Sequence, residues 1–417
     1  MRTKKTWLNK PLLIAIAACI AAACSASGRD NEFEDKDDDD GSTSEGNTGG
    51  DLGITGGGTT TGGADDGVIK VEPKCDGVDP NLDSDGDGWT GAAGDCNDCT
   101  KEMNPGAQDY AANNIDDDCN GAKDDNPGAC DSGLPLEASS PEDAARAMGL
   151  CKLQGGDPDR WGLISAQYIL ADGTPYSQDP VSYGIIPKYG LNVNPQEGNQ
   201  MLILSSGAAR NPNDPGYGSP SGYSKGYTSE APAGYPKESP ACPGVVTGTP
   251  YDSVGLRIKV KTPTNAKSLR FNLNFYTYEF PNYICSQFND FMVSMLSPIP
   301  PGQPDGNISY DTKGNTISVN AGFLRVCHPQ VAKGIDFPCD LGPGDLAGTG
   351  FDVGTNSAGT GWLQTSSALI DPGSVIDLDF AIWDSGDPIL DSTVLLDNFG
   401  FVVNETPTET IPVAEPK

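Results

Sequence analysis

The sequence predicts a mostly β protein. A large β-sandwich or jelly-roll-like domain is preceded by a small loop-rich module held by disulfides and metal, and before that by a disordered tether. Three observations predict this. Several segments alternate strictly between apolar and polar residues, the period of a half-buried strand. A cysteine-bearing stretch repeats carboxylates at every second position and closes on glycine. Glycine and proline are abundant, 53 and 34 of 417 residues, and no long helical period appears.

The first residues read as an export signal. Arg2, Lys4, Lys5 and Lys10 precede an apolar run from Pro11 to Ala23, and small and polar residues follow. Residues 1–23 are too short and too soon polar for a spanning helix. Ile16-Ala-Ala-Cys19 and Ala21-Ala-Ala-Cys24 both resemble the lipobox of bacterial lipoproteins, whose cysteine is acylated and becomes the first residue. Cys19 has the better residue three positions before it; Cys24 leaves the longer apolar core. Parity favours Cys24: of 12 cysteines, cleavage there leaves one for lipid and ten to pair. Cleavage near Ala23 or Ala26 without lipid is the alternative. On each reading the chain is exported, to the outer membrane or cell surface or into the medium, and paired cysteines suit an oxidising compartment. A net charge of -32 argues against nucleic acid and anionic membrane surfaces as partners. Membrane attachment is expected through lipid alone.

Residues 24–70 hold almost no large apolar side chains. Asp37 to Asp40 is an acidic run, and Gly49 to Gly67 is Gly, Thr and Asp with little else. Such a segment cannot bury enough apolar surface to offset its ordering entropy and reads as a flexible tether.

Residues 71–129 form an acidic cysteine module. Asp83-Ser-Asp85-Gly-Asp87-Gly88-Trp89 is followed by Gly94-Asp95-Cys96-Asn97-Asp98. This spacing is the first half of an EF-hand ligand set, which aims several oxygens at one hard cation. One calcium is expected on Asp83, Asp85, Asp87, Asp95 and Asp98. A second copy, Asp116-Asp-Asp118-Cys-Asn120-Gly121, would hold another through Asp116, Asp118, Asn120 and Asp124. A solvated acidic linker is the plainer alternative, but linkers rarely repeat ligand spacing and punctuate it with cysteines. A segment so poor in apolar residues needs disulfides and metal to hold it together. Cys75, Cys96, Cys99 and Cys119 are expected to pair among themselves, in an order the sequence leaves open.

The order of these motifs, with Asn104-Pro105-Gly106-Ala107 between the two acidic loops, resembles the MopE-type metal-binding motif of bacterial surface proteins. Its spacing also resembles the thrombospondin type 3 calcium repeats. The chain departs from the MopE-type pattern after the Pro-Gly-Ala turn, where Asp109-Tyr110-Ala111 replaces a usual cysteine and Cys99 is extra. That resemblance brings copper in as an alternative metal. Carboxylate and amide ligands, one histidine and few methionines favour calcium instead.

Residues 130–159 read as a helical collar closed by Cys130 and Cys151. Ser140-Pro141-Glu142-Asp143 starts a short helix, with Ser as the cap and Pro in the first turn. Residues 160–404 are the β-sandwich. Val254 to Lys261, Leu269 to Phe275 and Ile376 to Ile382 alternate strictly, and Met201 to Leu204, Phe291 to Leu296 and Val394 to Val403 are further strands. Disulfides Cys242–Cys285 and Cys327–Cys339 each bridge one compact segment. Residues 405–417 are expected to be a disordered tail.

Cys151-Lys152, Trp161-Gly-Leu-Ile-Ser-Ala166, Met201-Leu-Ile-Leu-Ser-Ser-Gly207, Glu279-Phe-Pro281, Cys285-Ser-Gln-Phe-Asn-Asp290, Ala381-Ile-Trp-Asp-Ser-Gly-Asp387 and Leu390-Asp-Ser-Thr-Val-Leu-Leu-Asp-Asn398 occur in order. Together they resemble the choice-of-anchor L domain of bacterial surface proteins. That resemblance implies surface location and architecture more than any reaction.

Catalytic chemistry finds few players. His328 is the only histidine and lies in Cys327-His328-Pro329, so any nucleophile with an imidazole base would have to use it. Paired carboxylates could hydrolyse glycosides, but acids are too numerous here for pairing to inform. Asp384, Asp387 and Asp391, with Asp397 beyond, and Glu279, Asn289 and Asp290 could form a second hard-cation or ligand site if their loops meet; otherwise they make turns. Tyr217, Tyr223, Tyr227 and Tyr235 lie in a Gly- and Pro-rich stretch suited either to ligands or to packing on their own domain. The sequence therefore predicts a calcium-binding, structural or adhesive surface protein without a catalytic site. Metal, and an extracellular polysaccharide or a surface protein, are its expected partners. A calcium-dependent carbohydrate-binding adhesin, a copper-binding surface protein and a hydrolase are the alternatives.

Overall fold

A computed structural model describes residues 75–413 apart from 126–127, 302, 312, 321 and 369. The signal, Cys24 and the tether lie outside the described residues, which all belong to the unit spanning Gly67–Lys417.

Among the described residues, fourteen strands follow the module. They are β1 (Gly162–Ile169), β2 (Tyr183–Ile186), β3 (Met201–Ser205), β4 (Pro250–Lys261), β5 (Ser268–Thr277), β6 (Phe291–Ser297), β7 (Ile317–Ser318), β8 (Gln330–Ala332), β9 (Ile335–Phe337), β10 (Ala358–Gly359), β11 (Leu363–Ala368), β12 (Val375–Ser385), β13 (Ser392–Val402) and β14 (Glu409–Pro412). One sheet has the order β1-β4-β12-β6-β7. The other runs β14-β11-β5-β13-β3-β2, with β10 added beside β5, and β8 and β9 form a separate ribbon. Neighbouring strands pair antiparallel, although most partners are far apart in the chain.

The alternation read from the sequence sets the layer between the sheets. Val254, Leu256, Ile258 and Val260 of β4 point inward with Ile376, Leu378, Phe380 and Ile382 of β12. Leu269, Phe271, Leu273 and Phe275 of β5 and Val394 and Leu396 of β13 meet them from the other sheet. Phe271 and Phe380 touch edge to face, with ring centroids 4.9 Å apart. The outward residues of β4 and β12 pair across the strands. Arg257 lies opposite Asp379 and grips it through two hydrogen bonds of 2.5 and 2.6 Å, while Lys259 faces Asp377.

Both sheets also carry side chains buried on their outer faces. Tyr276 and Leu395 pack with Tyr189, Val326, Phe351 and Trp362 from the long loops. On the other sheet Val293 and Trp383 are covered by Ala231 and Tyr235. The tyrosine-bearing loop is therefore largely packed on its own domain. Tyr235 stacks edge-on against Phe291 and Trp383, and the Tyr227 hydroxyl donates to the Ser253 carbonyl at 2.8 Å.

The collar helix α1 spans Pro141–Ala147. The Ser140 hydroxyl caps it by accepting from the Asp143 N–H at 3.3 Å. Five disulfides join Cys75–Cys99, Cys96–Cys119, Cys130–Cys151, Cys242–Cys285 and Cys327–Cys339. The four module cysteines thus pair among themselves, and the order left open by the sequence is 75 with 99 and 96 with 119.

The tail expected to be disordered beyond residue 404 is corrected in part. Glu409–Pro412 forms β14 along the edge of β11, with Thr410 opposite Thr365. Thr410 also donates its N–H to the Tyr310 carbonyl at 3.0 Å. The physical reason is the free edge of β11, whose unpaired N–H and C=O groups favour one more strand. Among the described residues no helix is long and apolar enough to cross a membrane.

Candidate metal centres

The acidic module has little core, so its loops are shaped by carboxylates. Asp83 accepts from the N–H groups of Gly86, Asp87 and Gly88, at 2.6 to 3.2 Å, and winds the Asp-x-Asp-Gly-Asp-Gly segment around itself. Gly86 and Gly88 take φ of 77° and 98°, the left-handed region that glycine enters without a Cβ clash. The turn after it brings Asp95 and Asp98 back, tied by Asp98 accepting from the Ser84 N–H at 2.8 Å. Asp83, Asp85 and Asp87 bring carboxylate oxygens within 4.8 Å of one another, and so do Asp85, Asp95 and Asp98. The five residues expected to share one cation are therefore brought together, with Asp85 common to both groups.

The chemistry of this group fits a cation. Asp85 Oδ2 and Asp95 Oδ2 are buried and have no hydrogen-bond partner. A buried carboxylate oxygen without a donor is costly unless a positive charge faces it. Burial, with neighbouring Asp87, Asp85 and Asp98 adding repulsion, pushes the Asp95 carboxyl up to about 6. Burial chiefly also raises Asp85 and Asp87. Oxygen ligands in this number suit a hard cation such as calcium.

The second acidic loop is built differently. Asp116 accepts from the N–H groups of Asn120 and Gly121, and Asp124 from those of Asn113 and Asn114. Asp118 pairs with Lys152 at 3.4 Å, and the Asn120 amide donates to Asp125. Among the described residues these four make no carboxylate group as tight as the first loop's. Their oxygens are taken up by turns and a lysine. The residue that organises this loop is Asp109, which sequence reading passed over. It is 3% exposed and accepts from the N–H groups of Asp117 and Asp125. Its only sequence signal is that it stands where the resemblance leads one to expect a cysteine.

Asn104 joins the first loop to the sandwich. Its amide donates to Asp87 Oδ2 at 2.8 Å, and its carbonyl oxygen accepts from the Thr264 hydroxyl at 2.7 Å. Beside it, Asn265 exchanges two hydrogen bonds with the Gln108 backbone.

In the sandwich, most of the second set converges. Asp290 is fully buried and accepts from the Ser385 N–H at 3.0 Å and the Ser392 hydroxyl at 2.6 Å. Glu279 and Asp384 feel Asp290 and each other, and Asp391 feels Asp384 and is felt by Asp290; all are buried, and among the described residues no three of these acids bring oxygens within 4.8 Å of one another. Burial first, then like charge, pushes Glu279 up to about 12 and raises Asp290, Asp384 and Asp391 strongly. Asn289 braces the Asn320 N–H, and half-buried Asp387 caps its own turn by accepting from Ile389. Lys225 and Asp252, absent from the sequence reading, belong here too. Asp252 accepts from the N–H groups of Lys225 and Tyr227, and Lys225 turns its ammonium inward to the carbonyls of Ser206 and Gly207.

Asp397 does not join them. It lies six residues beyond Asp391, roughly 20 Å along β13 at the strand rise. Its carboxylate accepts from the N–H groups of Gln196, Glu197 and Asn398. His328 is exposed in the Cys327–Cys339 loop.

No family model matches the chain, and no curated protein matches it. Two solved structures overlap it. One is a carbohydrate-binding module described for specific mannan recognition, at 9% identity and a TM-score of 0.23 over 64% of this chain and 93% of that one. The other is a cleaved adhesin domain of Lys-gingipain, at 12% identity and a TM-score of 0.19 over 57% of this chain and 97% of that one. Overlaps this loose carry no argument about function.

Burial raises Asp397 to about 7 despite its three N–H donors. A carboxyl with a higher pKa folded than unfolded binds its proton more tightly in the fold. Between about pH 4 and 7 the folded state therefore holds more protons, and stability falls as pH rises. In chelator, urea unfolding of Asp397→Asn should show a shallower loss of stability over that window than the parent, by on the order of 1 kcal/mol per pH unit. Equal slopes would refute the assignment.

Proposed function

We propose that this is an exported, lipid-anchored surface protein that works as a calcium-stapled structural or adhesive module, without a catalytic site. The observation that carries the calcium reading is the first acidic loop: five carboxylates gathered by the chain, two with buried oxygens that lack a partner. Calcium there would replace a hydrophobic core the module lacks, and Asn104 would pass that order to the sandwich. The five disulfides support an oxidising compartment. An extracellular polysaccharide or another surface protein is the expected partner, since a charge of -32 disfavours nucleic acid.

Calorimetry on the full chain should detect calcium binding that Asp85→Ala weakens about tenfold or more, an affinity change of roughly 1.4 kcal/mol. Because Asp95 must lose its proton to bind, affinity should be steady above pH 7 and decline as pH falls through 6. Copper binding without calcium binding would refute the reading.

The lipid anchor rests on the apolar core that ends before Cys24 and on the even number of remaining cysteines. Mass spectrometry of the mature N-terminus should find a diacylated or triacylated Cys24. A start at Cys19, or an unmodified start near Ser25, would contradict it.

The non-catalytic reading rests on the chemistry at hand. The ten described cysteines are disulfide-bonded, and the lone histidine, His328, is exposed. No turnover is expected on a panel of polysaccharides, esters and peptides. Reproducible hydrolysis abolished by Asp384→Ala or Glu279→Ala would overturn it.

A further inference from the structure

The inward parity of the sandwich does not stop where its apolar layer stops. On β12 the inward series Ile376, Leu378, Phe380 and Ile382 continues to Asp384. On β6, Met292 is preceded in the same parity by Asp290; on β5, Phe275 is followed by Thr277 and then Glu279. On β3, Leu202 and Leu204 lead to Ser206. Four strands from both sheets thus end the core in polar groups at one end of the sandwich. A bulge sharpens this end: Ile382 pairs with Val254 but Asp384 with Tyr251, so Asp252 and Ser253 together face Trp383.

The polar groups at this floor divide into two kinds. Asp290 and Asp252 each accept two hydrogen bonds and are explained by them. Asp384 and Asp391 are each 1% exposed, and neither oxygen of either has a hydrogen-bond partner; Glu279 Oε2 is likewise buried and unpartnered. The Ser206 hydroxyl beside Asp384 gives its proton to the Ser392 carbonyl. Asp391 packs so closely on Gly207 that an added Cβ would sit 1.9 Å from its Oδ2.

Protonation alone leaves this unresolved. Protonating Asp384 or Asp391 removes its charge, but its second oxygen would still lack a donor. Lys225 offsets one of the three unsatisfied charges, and its ammonium is committed to two backbone carbonyls. A divalent ion would offset the other two of these three, while Asp290 and Asp252 keep their charge on their own donors. A buried floor whose unpartnered oxygens are carboxylate suits calcium, since magnesium usually keeps several waters.

We propose that this floor is a buried site for a hard divalent cation of the calcium class, with Asp384 and Asp391 as carboxylate ligands and Glu279 beside them. The site is independent of the acidic module. It ties the turn after β3, the turn before β13 and the Lys225 loop to the end of β12.

Calcium bound to the full chain, counted by native mass spectrometry, separates the two sites. Asp384→Asn/Asp391→Asn should bind one ion fewer than the parent and keep the module's ion. Asp85→Asn/Asp95→Asn should do the reverse and still melt higher when calcium is added. In chelator, Asp384→Asn/Asp391→Asn should melt at or above the parent, because like charges are removed, and should lose the calcium-dependent rise of the sandwich transition. An unchanged ion count and an unchanged rise would overturn the proposal. Should that variant fail to fold, terbium replaces calcium in Asp85→Asn/Asp95→Asn. Tryptophan-sensitised emission should then drop in Trp383→Phe, because Trp383 immediately precedes Asp384 on β12. Emission that is absent, or indifferent to Trp383→Phe, would equally refute the site.

Discussion

Buried negative charge is the constraint on which the described part of this protein depends. Carboxylates in water repel weakly, but in a dry interior the same charges must be given donors, protons or cations. The chain meets this in three ways. Asp109, Asp131, Asp290 and Asp397 are surrounded by N–H and O–H donors, and each ties its own segment to one or two others by accepting from them. Arg257 and Lys237 pair with Asp379 and Asp305 near the surface. The third group, in the acidic loop and at the floor of the sandwich, has oxygens that no protein donor reaches.

The first of these habits explains how so loop-rich a protein holds a shape. A carboxylate that accepts several backbone N–H groups replaces the ladder a strand would have provided. Asp131 does this for the turn at Asn199 and Gln200, and so links the collar to the strand that follows. Asp397 does it for Gln196 and Glu197. These bonds sit beside disulfides that enclose the collar and the Cys327 loop, so the irregular parts are fastened at several points and the sheets are free to carry the core.

Asn104 connects the two kinds of order. It is fully buried, and its two ends touch an Asp of the acidic loop and a Thr of the turn between β4 and β5. The first acidic loop and the sandwich are thereby coupled through an uncharged side chain that can both donate and accept, beside the bonds of Asn265 to Gln108. A cation that orders the loop would be felt at the base of the sheet by this path.

Much of the fold was legible in the sequence because alternation of period two has one physical meaning. Val254 to Lys261, Leu269 to Phe275 and Ile376 to Ile382 could bury their apolar side only as strands, and they do. The cap of α1, the cysteine grouping and the first acidic loop were legible for the same reason: each is local, and its spacing fixes its geometry. The second acidic loop shows the limit. Its spacing repeats the ligand pattern, yet Asp116, Asp118 and Asp124 are drawn to nearby N–H groups and to Lys152, a competition that spacing does not encode. The pairing of Cys75 with Cys99, the strand made by Glu409–Pro412 and the gathering of Glu279, Asp290, Asp384 and Asp391 were decided by tertiary structure. Residues far apart in the chain meet only when two sheets close over one core. The inward parity of β5, β6 and β12 pointed those acids inside, but only the closed sandwich brought them to the same end, beside a lysine from a loop with no periodic signal at all.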